Sequence, residues 1–171
     1  FEPEVLNVYA KHYQTGDTMP KELIEKLRES GKYGQGFATA ERIQASMLDM
    51  AYHVIKEIPA DFDIIKFEES VIKRLGALSQ IPPRYRTTYF NHTMGGGYTA
   101  GYYSYMWAEV LDADAYQAFI ETGNIFDSET AAKFRKYVLT PGGIEDAMVM
   151  YTNFRGAEPG VEPLLKNRGL N

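Results

Sequence analysis

The spacing of the apolar residues is the feature that most restricts how this chain folds. Between positions 37 and 58, apolar side chains recur every three or four residues with no internal Pro, at Ile43, Met47, Met50, Ala51, Val54 and Ile58. This period predicts a long, mostly buried helix that ends at Pro59. Helical spacing recurs along most of the chain, so we expect an all-α protein with at most a short extended segment near Tyr85.

Capping residues, prolines and glycines divide the rest of the chain into further helices. The expected helices are one ending near Thr15-Gly16, one between Pro20 and Gly31, one capped by Asp61 or Asp63 and closed by Pro82-Pro83, and later ones from Tyr98 to about Glu121, from Asp127 or Ser128 to about Leu139, from Glu145 to Phe154 and from Pro163 to Arg168. We therefore expect about seven or eight helices packed into a compact unit.

Composition argues against several classes of function. The chain has no Cys, which excludes a disulfide framework, a thiolate nucleophile and a thiolate-bound metal. A net charge of -5 without a basic run argues against nucleic acid as a partner. No stretch approaches the ~20 apolar residues that a membrane span needs. The first residues lack both an initiator Met and a signal-peptide pattern, so we expect a piece of a longer cytoplasmic protein, with the periplasm as the alternative.

A tyrosine-rich segment is the chemically most informative part of the chain, which has 13 Tyr in all. On a helical wheel Tyr98, Tyr102 and Tyr105 fall within about 60° of one another, and Glu109 joins them. Because a phenol has a reference pKa of about 10, this face would present neutral hydroxyl donors. Such donors stabilise the oxyanion that develops in acyl transfer. The alternative is a core edge whose hydroxyls reach water or backbone carbonyls.

A glycine triplet, Gly95, Gly96 and Gly97, directly precedes this face. It has no helical use, but it lets the backbone approach a ligand or lets a loop swing over one. Closing such a loop would bring His92 toward the tyrosines. The triplet also fits the G-x-G-x-x-G/A pattern of dinucleotide sites, which we reject because no alternation of strands and helices follows. Binding of a peptide carbonyl or a carboxylate at the helix amino terminus is an alternative use of this loop.

The histidines do not have the spacing of a metal site. His53 and Glu57 stand four apart on the predicted long helix and could form half of one, but a hydrogen-bonded helix histidine is the favoured interpretation. His12 is expected to be structural or exposed. The chain has no His-Glu-x-x-His, so we expect it to bind no metal and to catalyse nothing by itself.

Several segments closely resemble the carboxy-terminal region of the M3 family of zinc metallopeptidases, and most of all its bacterial peptidyl-dipeptidase (dipeptidyl carboxypeptidase) branch. Oligopeptidase A and thimet oligopeptidase are more distant members. The segments that carry the resemblance are 82–92, 95–98, 100–107, 112–116, 139–146, 154–156 and 164–170. It extends over essentially the whole chain and is strongest from Ile81 onward.

The resemblance implies that residues 1–171 are the carboxy-terminal portion of a larger helical catalytic domain. Residues 1–80 would be a packing segment, and 81–171 would supply the glycine loop, the tyrosine helix and the closing helices. The full-length enzyme would hold zinc through upstream residues that this chain lacks. Its substrates would be short peptides, from which it would release carboxy-terminal dipeptides. The missing upstream part would be a partner, and the surface exposed by its absence could form a dimer.

The resemblance also implies roles for individual residues. Tyr102 and Tyr105 would donate to the scissile carbonyl, and His92 would act beside them. The substrate would further contact Tyr98 and the loop of Gly95, Gly96 and Gly97. The chemistry of Arg84 and Arg86 suits a free substrate carboxylate, although a salt bridge inside a helix bundle is the alternative. The alternative function is a non-catalytic helical module that binds peptides or proteins.

Overall fold

The fold is all-α, as predicted, in a computed structural model that describes residues 1–170. These residues contain nine α-helices and no β-strand. The helices are α1 (Pro3–Tyr9), α2 (Lys21–Ser30), α3 (Gln35–His53), α4 (Ile64–Arg74), α5 (Asn91–Met94), α6 (Ser104–Glu121), α7 (Ser128–Phe134), α8 (Ala147–Arg155) and α9 (Glu162–Asn167). None of the helices within 1–170 is long and apolar enough to cross a bilayer.

The chain divides into two compact units, Phe1–Thr39 and the part that begins at Ala40. In the first unit, Leu6 of α1 and Ile24 of α2 are buried. The prediction that the first helix reaches Thr15-Gly16 is wrong, since α1 ends at Tyr9. The backbone then turns back on itself, because the His12 N–H donates to the Asp17 carbonyl at 2.8 Å and Lys11 pairs with Thr18.

Helix ends follow the predictions where a nearby side chain caps them. The Asp63 carboxylate accepts the Ile65 and Lys66 N–H groups at the start of α4. The Asp127 carboxylate accepts the Thr130 N–H at the start of α7, which continues as a π-helical turn over Arg135–Leu139. Gly156, with φ 84°, ends α8 in the left-handed conformation that glycine favours.

The long helix is shorter than predicted. It ends at His53, whereas the sequence predicts that it continues to Pro59. The Nδ1 atom of His53 lies 2.8 Å from the carbonyl oxygen of Asp49, and the Ile55 N–H donates to the Tyr52 carbonyl in a tighter turn. Val54 and Ile58 consequently lie beyond the helix and are 68% and 69% exposed.

The burial of α3 also differs from the prediction. Its apolar side chains Ile43, Met47 and Met50 are 42%, 43% and 37% exposed, so the expected mostly buried face is wrong. The opposite face is buried, and it carries Gln44, Ala45, Ser46, Leu48 and Asp49. Ala45 packs in the core with Phe90 and Tyr102, and the Gln44 side chain donates to the Ile81 carbonyl at 2.8 Å. Polar bonds to distant segments therefore orient this helix.

The expected extended segment near Tyr85 is a 3-10 turn, Thr87–Tyr89, followed by α5. A buried carboxylate of α4 explains the difference. Glu68 accepts the backbone N–H and the hydroxyl of Thr87, each at 2.7 Å, and forms an ion pair with Arg86. These bonds hold the segment against α4, so it does not pair with another extended segment.

The tyrosine helix begins later than predicted. Residues 98–103 form turns, and α6 starts at Ser104 rather than at Tyr98. Ala100 in this segment has φ 53°, in the left-handed region that residues with a side chain rarely adopt. The Asp49 carboxylate accepts the backbone N–H groups of Ala100 and Tyr102 and so interrupts the helix.

Candidate functional site

Four of the predicted site residues, His92, Tyr98, Tyr102 and Tyr105, lie together, and we name them the tyrosine cluster. The His92 ring centroid lies 6.0 Å from that of Tyr98, 5.7 Å from that of Tyr102 and 6.4 Å from that of Tyr105. Tyr98 stacks on Tyr105 at 5.0 Å, and Tyr102 meets Tyr105 edge-on at 5.2 Å. The structure thus joins these side chains although only Tyr105 lies on α6.

The tyrosines of the cluster differ in exposure. Tyr102 is only 5% exposed and packs in the core with Phe90 and Ala45. Tyr98 and Tyr105 are 38% and 39% exposed. Tyr98 and Tyr105 are therefore accessible to a ligand, while Tyr102 anchors the cluster to the rest of the fold.

The surroundings of Tyr102 and Tyr105 favour the protonated phenol. Burial raises the pKa of Tyr102, and the nearby Arg84 guanidinium opposes this only in part. A hydrogen bond with the Tyr98 hydroxyl, with a smaller contribution from burial, raises the pKa of Tyr105 to about 12. Both tyrosines are thus neutral at physiological pH and keep a proton to donate.

A polar cavity of about 250 Å³ adjoins the cluster. Its walls are formed by Arg42, Ser46, Arg84, Tyr85, His92, Tyr102, Tyr105, Met106 and Glu109. Glu109 forms ion pairs with Arg42 and with Arg168 and ties the wall together. A cavity of about 470 Å³ beside α8 is larger, but none of the predicted site residues lines it. Chemistry rather than size therefore marks the smaller cavity as the candidate site.

The two arginines have different positions. Arg84 lines the cavity, and its guanidinium is held at 2.8 Å by Glu41, whose hydrogen bond raises the pKa of Arg84. Arg86 does not line it and instead pairs with Glu68, whose side chain is 2% exposed. Both arginines therefore form a salt bridge, which is the predicted alternative, and Arg84 also lines the cavity.

Within the glycine loop, the structure requires glycine most clearly at one position. A Cβ atom on Gly96 would lie 2.8 Å from the carbonyl oxygen of His92, which is backbone and cannot swing away. At Gly95 the nearest atom belongs to the Asn91 side chain, and at Gly97 nothing lies within 4 Å. The Tyr98 N–H donates to the same His92 carbonyl at 3.0 Å. Gly96 thus permits the tight turn between His92 and Tyr98.

Sequence reasoning missed Asp49, which is 0% exposed and lies directly behind the cluster. Its Oδ1 atom accepts the Ala100 N–H at 3.1 Å, and its Oδ2 atom accepts the Tyr102 N–H at 3.0 Å. Nδ1 of His53 lies 2.9 Å from Oδ1 of Asp49, and its hydrogen-bond partner is the Asp49 backbone carbonyl. The sequence did contain a signal for Asp49, namely a carboxylate inside a helix that was expected to be buried. A buried charge needs hydrogen-bond partners, so such a residue is expected to bind another segment.

The other histidines have structural surroundings. Because α3 ends at His53, Glu57 lies in an irregular, exposed segment and does not share a helix face with His53. His12 is exposed, as expected, and its Nδ1 atom accepts the Thr15 N–H at 3.3 Å. The part of the chain that the structure describes contains no group of three or more His, Asp or Glu side chains that could hold a metal ion. These residues do not fit a zinc site.

Comparison with known proteins gives consistent matches. A sequence model described as peptidase family M3 matches residues 1–170. The dipeptidyl carboxypeptidase of Escherichia coli (strain K12) is 41% identical over 170 residues, which cover 99% of this chain and 25% of that protein. The oligopeptidase A of the same strain is 37% identical over 172 residues, again covering 99% of this chain and 25% of that protein.

A more distant relative is the saccharolysin of Saccharomyces cerevisiae, which is 29% identical over 172 residues. The alignment covers 98% of this chain and 23% of that protein. This chain therefore spans about a quarter of the length of the relatives it matches.

Proposed function

Because this chain belongs to peptidase family M3, we propose that it is the carboxy-terminal, substrate-binding part of a zinc-dependent peptidase. In this proposal the whole enzyme hydrolyses short peptides and releases carboxy-terminal dipeptides. The observation that carries the proposal is the tyrosine cluster, in which protonated phenols and an imidazole share one cavity wall. The relative with 41% identity is a dipeptidyl carboxypeptidase, which supports the same substrate class.

The cluster has the chemistry to stabilise an oxyanion. When a peptide carbonyl is attacked, its oxygen gains negative charge, and neutral hydroxyl donors held in place stabilise that charge without reorganising. Tyr105 is exposed enough to reach a substrate and is oriented by its contacts with Tyr98 and Tyr102. We assign Tyr105 as the main donor, with Tyr102 and His92 beside it, and Tyr98 and the glycine loop as substrate contacts.

The zinc ion of this proposal would be held by residues outside this chain, since those within 1–170 do not fit a zinc site. What this chain contributes is the opposite side of the cleft: donors for the carbonyl oxygen, a loop of Gly95, Gly96 and Gly97 near the peptide, and a cation for its end.

That cation is Arg84. Release of a dipeptide requires recognition of a free carboxylate at the substrate terminus, and a guanidinium binds a carboxylate through paired hydrogen bonds. Arg84 lines the cavity beside Tyr102, while Arg86 is held by the buried Glu68. The Glu41 carboxylate already binds the Arg84 guanidinium, so it would compete with the substrate carboxylate for this cation. We therefore assign the terminus to Arg84 and a positioning role to Arg86.

The exposed apolar face of α3 also fits this proposal. Ile43, Met47 and Met50 are each more than a third exposed on one side of that helix. We propose that this face packs against the rest of the catalytic domain, and that the isolated chain associates with itself there.

The decisive experiment substitutes Tyr105→Phe in the full-length protein that carries this chain. We expect turnover of a short peptide to fall by about 10²-fold or more, while the bound zinc is unchanged by elemental analysis. Tyr103→Phe is the matched control, because Tyr103 is 54% exposed and does not line the cavity. Wild-type turnover of the Tyr105→Phe protein would remove Tyr105 from the mechanism. Peptide binding without hydrolysis by the unaltered protein would favour a non-catalytic binding module.

A further inference from the structure

Asp49 is a fully buried carboxylate to which the proposed reaction gives no role. It lies on α3, and its two oxygens accept N–H groups that are 51 and 53 residues away in sequence. The His53 ring lies beside Oδ1. Burying a carboxylate is unfavourable unless its oxygens are hydrogen-bonded, and both of these hydrogen bonds come from the turn at 98–103.

The turn that Asp49 binds is strained and competes with a helix. Ala100 has φ 53°, which is unfavourable for a residue with a side chain. The local sequence pattern predicts that the helix begins at Tyr98, yet the observed helix begins at Ser104. The hydrogen bonds from the Ala100 and Tyr102 N–H groups to Asp49 thus favour the turn over the continued helix, together with the bond from the Thr99 hydroxyl to the Thr93 carbonyl.

The turn determines where Tyr98 lies. In a continuous helix, Tyr98 would be about 10 Å from Tyr105 along the axis, because each residue adds about 1.5 Å. The observed ring centroids are 5.0 Å apart, and the two rings are nearly parallel, at 24°. Only the folded-back conformation of 98–103 allows this stacking.

We infer that Asp49 is a positioning residue whose carboxylate holds the 98–103 turn and thereby sets Tyr98 against Tyr105 in the tyrosine cluster. Asp49 touches no reacting atom and acts through the backbone of Ala100 and Tyr102. The effect of this arrangement on turnover rests on the proposed function. The binding of the 98–103 turn by Asp49 does not depend on that function.

The hold is tested by amide hydrogen exchange in the full-length protein. Because Asn has a single acceptor oxygen, Asp49→Asn is expected to release one of the two backbone amides, that of Ala100 or that of Tyr102. Asp49→Ala is expected to release both. Each released amide should exchange about tenfold faster or more. The Tyr105 pKa, followed with ring-labelled tyrosine, is expected to move from about 12 toward 10 in the same variants. The matched control is Asp114→Asn, a carboxylate that is 5% exposed and bound by Tyr151 and Arg155.

The catalytic consequence is tested by peptide hydrolysis. We expect kcat to fall about tenfold or more in Asp49→Ala, with a smaller change in KM and unchanged zinc, and wild-type kcat in Asp114→Asn. Unchanged exchange at Ala100 and Tyr102 overturns the inference, and so does accelerated exchange with wild-type kcat. If Asp49→Ala does not fold, Asp49→Asn decides. If the unaltered protein hydrolyses no peptide, the proposed function fails, and exchange and titration alone decide whether Asp49 holds the turn.

Discussion

The ring of Tyr98 stacks on the ring of Tyr105, with centroids 5.0 Å apart, across a backbone turn that keeps Tyr98 off the helix of Tyr105. The Tyr98 hydroxyl is also the main cause of the raised pKa of Tyr105. Tyr98 and Tyr105 are the exposed tyrosines of the cluster, and their stacking orients both rings. The behaviour of one phenol should therefore depend on the other.

We expect Tyr98→Phe to lower the pKa of Tyr105 from about 12 toward 10. The hydrogen bond with Tyr98 stabilises the protonated form of Tyr105, so its loss makes the proton easier to remove. Between these two pH values Tyr105 would then ionise in the variant but stay neutral in the wild type. Titration of ring-labelled tyrosine by NMR measures this directly, and Tyr103→Phe is the control. A Tyr105 pKa that is unchanged in Tyr98→Phe would contradict the pairing.

Neighbouring glycines of the loop should respond differently to the same substitution. We expect Gly96→Ala to destabilise the protein by about 1–3 kcal/mol, because the new Cβ would meet the His92 carbonyl oxygen at 2.8 Å. Gly97→Ala should change the free energy of unfolding by less than about 0.5 kcal/mol, since nothing lies within 4 Å of its Cβ position. Urea unfolding followed by tyrosine fluorescence compares the two. Equal effects would show that the loop relaxes around either residue.

Much of the fold was predictable because the signals for it are local. Asp63 and Asp127 cap helices through N–H groups two or three residues away, so the sequence beside them is sufficient. The start of α6 was not predictable in this way. It depends on Asp49, whose bonds reach Ala100 and Tyr102 far along the chain, and no periodicity contains that information.

The candidate site shows the same difference between what local sequence predicts and what depends on long-range contacts. The wheel grouped Tyr98, Tyr102 and Tyr105 correctly as neighbours, but on a helix that only Tyr105 joins. The different positions of Arg84 and Arg86 depend on which carboxylate each one meets, Glu41 or Glu68. Those pairings follow from tertiary packing, so two arginines with equal chemistry in the sequence have unequal access to the cavity.

Glu68 should be one of the more sensitive positions in the chain. It is 2% exposed and binds Arg86 and both polar groups of Thr87, so Glu68→Ala removes the acceptor for all of them. We expect a loss of about 1–3 kcal/mol in the free energy of unfolding, because Thr87 loses its acceptor while Arg86, whose side chain is 42% exposed, can still be hydrated. The adjacent and exposed Glu69 provides the control, and Glu69→Ala should shift the urea midpoint little. Similar midpoints for the two variants would mean that the Glu68 bonds contribute little to stability.

The exposed face of α3 should drive self-association of the isolated chain. Met47 and Met50 lie on it, and replacing either with Glu places a charge where an apolar partner would pack. We expect Met47→Glu and Met50→Glu to weaken association about tenfold or more in sedimentation velocity, and to reduce binding of an apolar fluorescent dye. Leu139→Glu is the control, because Leu139 is 62% exposed but lies outside α3. If the wild-type chain is a monomer that binds no dye, this face does not drive self-association, and the proposal that it packs against the rest of a larger catalytic domain loses its support.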